Sequence, residues 1–486
     1  MESKGVLRYA SPNEQRTISR EDLGFYHGVN IGAIYEFEGS FNVDSLQSFF
    51  APVQRCIEEH PFLAVVVADR HTDKAFYRHV PVINLEEHIT VLEHTPAGDN
   101  SQWGSVEDVL RSNLDRPFSH TIPPWRVVVL PLSSPSQQPS SCFIAFSYSH
   151  TILDGPSGVA FHRTFLAAVR AAAENPAPSP ARATVEVPER SLPPPFDTPE
   201  RLPISWSFLL GPLIGALIPR FLANLLGLEP EASTVNEGTW TGTPASFDPT
   251  TTRTRVALRE IDAALVEKAL RASRAHGAKL TGTLHVLTAR ALSRAFADHD
   301  KVTNFATQTA IDMRRAAGVA EDEMGEFASG VYFPLPRVGA AAREGPVTDE
   351  EWASARACTE AFADSASRLR DQPIGLLRYL PSVRRWMAGK LGQRREGSYE
   401  VSNIGVVEDK GEGRHGEAGG ARIVHMVFAQ PGMVVGCPIC INVISTKGGS
   451  LLYTLTWASG ALGVEGDEGV FIEAICDSLR ADFGRF

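Results

Sequence analysis

Hydrophobic and polar positions along this chain switch repeatedly between two periods. Ile31–Glu38 and Ala64–Ala68 carry short apolar runs that predict strands, whereas Asp44–Glu59 spaces Leu46, Phe49, Phe50, Val53 and Ile57 as one face of a helix. Trp125–Leu130, after a Pro-Pro break, and Ser141–Ser149, rich in aromatic and small residues, predict buried strands. A helix is expected after Pro156, capped by Ser157 and presenting Phe161, Phe165, Leu166 and Val169 to a core. Beyond it, Glu174–Pro203 is polar and proline-rich and reads as an extended linker that divides the chain. The remainder predicts strands at Arg255–Ile261, Phe305–Ile311, Gly330–Pro336, Glu400–Val407, Ile423–Phe428, Pro438–Thr446 and Ser450–Trp457. Helices are expected over Ala263–Ala275, Thr281–Ala297, Trp352–Arg370 and Gly469–Asp482, and a mobile glycine-rich loop over Glu408–Ala421.

Strands and helices thus alternate irregularly in both halves, without an internal repeat. The pattern predicts an α/β (α+β) protein of two mixed-sheet units, residues 1–200 and 201–486. One segment stands apart. Residues 202–219 carry no charge, Arg220 interrupts, and an apolar run continues to Leu228. Pro203, Pro212 and Pro219 argue against a single straight helix. A helix pair or lid over an apolar pocket is the favoured expectation, ahead of a membrane-surface contact through Trp206, and a true membrane span comes last.

Composition narrows the function classes. The 486 residues hold 46 Lys and Arg against 57 Asp and Glu, a net charge of −11, with no basic stripe; nothing would neutralise the phosphates of a nucleic acid. The six cysteines are sparse and sit mostly in apolar runs, as reduced buried thiols do. Cys437 and Cys440 form a C-P-I-C pair, but no second pair accompanies it, so no metal site is expected. The amino-terminal stretch is polar and has no apolar signal core, so residence in the cytoplasm is expected.

The chemistry gathers at "SYSHTILDGPSG", Ser147–Gly158. His150 ends a buried strand and enters a turn closing at Gly155, a rigid place that exposes a side chain. A neutral imidazole there can take a proton from an attacking hydroxyl. Asp154 either orients the histidine, as in a triad, or binds an arginine and holds the turn; a short turn points the two side chains apart, which favours the arginine. No G-x-S-x-G elbow, Cys-His pair or phosphate-binding glycine loop accompanies the histidine. A base without a protein nucleophile suits direct acyl transfer between two bound substrates.

HTILDG resembles the H-x-x-x-D-G motif of the CoA-dependent acyltransferases, which include chloramphenicol acetyltransferase, the plant BAHD enzymes, peptide-synthetase condensation domains and fungal alcohol acetyltransferases. "EEHPFLAVVV", "LDRPFSHTIPPWRVVVL", "AIDMRR", "MGEFASGVYFPLP" and "YEVSNIGVV" are similar to further motifs of that superfamily, in its order. The missing D-F-G-W-G motif, and Ser149 where condensation domains carry a second histidine, point to the fungal alcohol acetyltransferase branch; "ADFGRF" at the C-terminal end reads as a frayed helix end. The resemblance implies two chloramphenicol-acetyltransferase-like domains with a tunnel between them, and His150 as general base. It implies that Asp154 pairs with Arg314, that Gly155 permits the turn, and that Ser402 and Asn403 line the tunnel, one of them as an oxyanion donor. It implies acyl-CoA, most simply acetyl-CoA, as co-substrate, no bound cofactor, and a monomer. The apolar segments suggest a lipophilic alcohol as acceptor, a fatty alcohol, sterol or terpenoid. An amine acceptor, a carrier-protein donor and a non-catalytic lipid-binding role with 202–228 as anchor to an endoplasmic-reticulum or lipid-droplet surface are the competing expectations.

Overall fold

A computed structural model of the chain describes residues 5–38, 41–93, 102–132, 140–174, 181–217, 234–408 and 420–486. Two mixed sheets dominate. The first orders its strands Ala421–Ala429, Gly28–Phe37, Ser140–Ser149, Trp125–Pro131 and Ile89–Val91, with only the last pair parallel. Period-2 alternation splits its side chains between two cores. Ile31, Ala33, Tyr35 and Phe37 face helices Phe50–Glu59 and Gly155–Glu174, burying Val53, Ile57, Phe161 and Phe165. Ile34, Phe143 and Ala145 face helix Gln102–Leu114, whose Val106 and Leu110 also pack with Val256 and Leu258 of the second sheet.

That second sheet runs Thr254–Ile261, Leu451–Ala458, Ile439–Thr446, Tyr399–Val407, Asn304–Asp312 and Ala328–Pro336. Helices Ala263–Ala275, Leu280–Ala295, Asp349–Ser367 and Glu468–Phe483 contribute to its core. The two halves interlock: Ala421–Ala429 leaves the second half and pairs antiparallel with Gly28–Phe37. Close packing fixes the helix after the His150 turn. A Cβ on Gly158 would lie 2.3 Å from Ile31 Cγ1, so only glycine lets that helix sit so near the sheet.

Local differences from the periodicity have local causes. In Asp44–Glu59 only Phe50–Glu59 is α-helical, preceded by a 3₁₀ turn at Leu46–Phe49. The helix after His150 starts at Gly155, and Asp154 rather than Ser157 caps it: Ser157 N donates to Asp154 Oδ1 at 3.2 Å. The described part of the linker is docked: Thr184–Glu186 pairs with Val82–Asn84, and Asp197 accepts from Asn13 N at 2.8 Å. "ADFGRF" is no frayed end, because buried Asp482 bonds Arg294 and faces Arg290. One helix, Trp206–Leu217, runs through Pro212; residues 218–228 of the apolar segment, and 409–419 of the glycine-rich loop, lie outside the described residues. Among the described residues no helix is long and apolar enough to cross a membrane.

Candidate active site

A cavity of about 600 Å³ opens between the two sheets. His150, Asp154 and Val159 line it from the first half; Gln308, Glu400 and Ser402 line it from the second. The His150 turn is clamped from three sides. Tyr148 Oη donates to Asp154 O, Tyr77 Oη to Thr151 O, and Asp154 N to Gly325 O, at 2.8, 2.8 and 3.1 Å. Rigid strands therefore hold the histidine where the loop would otherwise wander.

Asp154 is turned away from the imidazole. Its carboxylate takes a two-pronged contact from Arg314, Nη1 at 2.8 Å and Nη2 at 2.7 Å, and accepts from Ser157 Oγ and Phe327 N at 2.7 and 3.0 Å. Burial alone would raise its pKa; the Arg314 charge and these bonds outweigh burial and hold it below the ordinary value. Arg314 also bonds Asp312 Oδ1 at 2.9 Å and lies over the Phe327 ring.

A different carboxylate attends the histidine. Glu326 Oε2 lies 2.8 Å from His150 Nδ1, with Glu326 only 6% exposed. The oxygen sits off the direction of a linear hydrogen bond, so the contact is electrostatic as it stands. The ring's other nitrogen has no hydrogen-bond partner among the described residues, and the ring lines the cavity. His162 is the contrast: both its nitrogens are engaged, by Tyr35 Oη and Ile31 O at 2.9 Å each, and burial pushes its pKa down to about 4. A neutral, satisfied histidine is structural; His150 keeps a free nitrogen over a cavity.

The Tyr26 ring stands edge-on to His150 at 5.8 Å between centroids, and its hydroxyl donates to Gln430 Oε1 at 3.0 Å. Gln430 in turn donates to Glu400 Oε1 at 3.0 Å. Burial raises the Glu400 pKa, with the Gln430 bond opposing. Behind the turn, Glu21 accepts from Ser149 Oγ, and burial lifts its carboxyl to about 7 against that bond.

The other expected residues are placed as follows. Ser402 and Asn403 line the cavity. The Asn403 amide is partly spent: Nδ2 donates to Thr281 Oγ1 at 3.0 Å and Oδ1 accepts from Gly405 N at 2.8 Å, holding a bulge where Gly405 has φ +97°. Gly155 is not left-handed; the room it leaves is taken by Ile404 Cδ1, 3.2 Å from where a Cβ would stand. Glu326 and helix Pro12–Asp22, which brings Arg16 and Arg20 to the cavity wall, were missed in the sequence. The helix had a signal: S-P-N-E at Ser11–Glu14 spells a capping box, and Ser11 and Glu14 form one. All six cysteines are buried and unpaired.

The architecture is that of the condensation-domain and acetyltransferase fold. The chain superposes on the TRI3 trichothecene 15-O-acetyltransferase of Fusarium sporotrichioides with a TM-score of 0.65 at 14% identity, over 98% of this chain and 94% of that one. A mutant starter condensation domain of rhizomide synthetase, in complex with C8-CoA and Leu-SNAC, aligns with a TM-score of 0.56 at 13% identity over 98% and 93%. The chain belongs to the alcohol acetyltransferase family, whose model matches residues 86–479, and is an acyltransferase. The probable alcohol acetyltransferase crmB of Aspergillus fumigatus is 21% identical to it over 482 residues, 95% of each chain.

Proposed function

We propose that the protein transfers an acyl group, acetyl in the simplest case, from acyl-CoA to the hydroxyl of a lipophilic alcohol or secondary metabolite such as a terpenoid. The observation that carries this is a histidine with one nitrogen free over an inter-sheet cavity and the other 2.8 Å from a buried carboxylate. His150 takes the proton of the acceptor hydroxyl as its oxygen attacks the thioester carbonyl. Glu326 fixes the ring and stabilises the imidazolium that forms. The tetrahedral intermediate collapses, the C–S bond breaks, and the proton on His150 passes to the leaving CoA sulfur. The products are an ester and CoA thiol, and no bond to the enzyme forms. Ser402 is the oxyanion donor of choice, since Asn403 is tied to Thr281 and Gly405. Asp154 and Arg314 hold the turn in shape without touching substrate.

Val29, Val159, Leu377, Met387 and Phe428 on the cavity wall favour an apolar acceptor body. Trp206 is 76% exposed and Leu210 42%, which suits a peripheral contact with a membrane surface by an otherwise cytoplasmic monomer. The test is release of CoA thiol from acetyl-CoA with a panel of lipophilic alcohols, beside His150→Ala. Release that needs both the alcohol and His150 is expected. Full release from His150→Ala would overturn the mechanism; no release from folded protein would shift weight to a carrier-bound donor or to lipid binding without turnover.

A further inference from the structure

The cavity wall carries two arginines that no carboxylate among the described residues meets at ion-pair distance. Arg20, on helix Pro12–Asp22, is 8% exposed and lines the cavity. Its guanidinium lies 3.8 Å above the Tyr26 ring centroid, the same ring that stands against His150, so one aromatic ring separates arginine from base. Its Nε is buried with no hydrogen-bond partner, and no carboxylate among the described residues lies within ion-pair distance of it. Arg16, one turn earlier, also lines the cavity; it donates to Asn13 Oδ1 at 3.0 Å and has no carboxylate partner either. Burial and the neighbouring Arg20 depress its pKa. Other cations on the wall are matched: Arg163 by Asp322 and Glu321, Lys390 by Glu396. The nearest acids act on the arginines only at longer range: Glu326, whose oxygens make no hydrogen bond among the described residues, lies against His150, and Glu400 accepts from Gln430. A buried guanidinium without a hydrogen bond is costly, and a ligand oxyanion relieves it.

Building on acyl transfer at this site, we propose that the acceptor is a hydroxy acid with an apolar body: Arg20, assisted by Arg16, binds its carboxylate while its hydroxyl meets His150. The apolar wall takes the body, and the shared Tyr26 ring sets a separation of a few bonds between hydroxyl and carboxylate.

β-Hydroxydecanoate and its methyl ester test this directly, with acetyl-CoA as donor. The acid is expected to show a KM about 10- to 100-fold below that of the ester, the range of one charge-assisted hydrogen bond. Arg20→Gln should erase the difference with kcat little changed, and Arg20→Lys should restore part of it. Calorimetry with β-hydroxydecanoate and the His150→Ala protein reads binding without turnover, and its Kd should rise about 10- to 100-fold on adding Arg20→Gln. Equal KM values for acid and ester, or a Kd for the acid unchanged by Arg20→Gln in a folded protein, would overturn the proposal. An Arg20-dependent preference for malonyl-CoA over acetyl-CoA, with no preference among acceptors, would place the carboxylate on the donor and overturn the acceptor assignment. Arg20-dependent binding without thiol release from any pair would overturn acyl transfer and leave acid recognition standing.

Discussion

Asp154→Ala tests the structural role proposed for the aspartate of the H-x-x-x-D-G motif. The carboxylate receives hydrogen bonds from Arg314 Nη1 and Nη2, Ser157 N and Oγ, and Phe327 N. Removing it strands a guanidinium that is 2% exposed. Breaking a buried pair from one side costs roughly 3–5 kcal/mol. Arg314 keeps Asp312 Oδ1 at 2.9 Å and Glu323 O at 3.0 Å, which places the expected loss at the low end, about 3 kcal/mol. The assay is urea denaturation followed by tryptophan fluorescence, with His150→Ala as a control of near-native stability. The sign of the pH dependence follows from the lowered pKa of Asp154: its contribution is full above the unfolded-state value near 3.8 and is lost as pH falls through the lower folded value, so wild type and variant converge only in strong acid. Adding Arg314→Met should recover part of the loss, because the stranded charge is gone. A loss below about 1 kcal/mol at pH 7, the size of an exposed ion pair, would refute the reasoning.

Other outcomes are equally specific. Glu326→Gln should lower kcat by ~10²-fold with KM and melting temperature nearly unchanged, since it loosens the base without touching substrate; a KM effect alone would count against the positioning role. Glu21→Gln should stabilise the protein at pH 8 by an amount on the order of 2 kcal/mol and hardly at all at pH 4, because a carboxyl raised to about 7 is favourable below its unfolded value and penalised as pH rises through its folded one; melting curves across that range check it. Gly158→Ala should lower stability by roughly 1–3 kcal/mol despite the better helix propensity of alanine, as its Cβ meets Ile31, and Ile31→Ala should offset it in the double variant.

What could be read from the sequence was what is local. The strand ending at His150 and the second-half strands announce themselves by period, and their limits in the structure differ by a residue or two. The H-x-x-x-D-G turn was legible because a strand end, an imidazole and a glycine fall within six positions. The pairing of Ala421–Ala429 with Gly28–Phe37 was not, since nothing in a strand names a partner some 400 positions away. Helix Pro12–Asp22 was hidden by its polarity: its buried residues include Asn13, Glu14, Gln15 and Arg20, which defeats a search for an apolar face.

Glu326 was hidden for a related reason, and its placement explains how the site is assembled. Asn304–Asp312 and Ala328–Pro336 are neighbouring antiparallel strands, so the segment between them must return to the same end of the sheet. That segment delivers Arg314 to Asp154 near its start and Glu326 to His150 near its finish, while Gly325 O and Phe327 N bond the Asp154 backbone and carboxylate. One connection of the second half thus sets both the shape of the turn and the direction of the imidazole it carries. The two carboxylates near the histidine differ by geometry: the one in the motif faces an arginine, and the one outside it faces the imidazole. A motif search finds the first because the spacing to His150 is fixed along the chain. The second becomes visible only when the two sheets are brought together, which is also the condition for the cavity to exist.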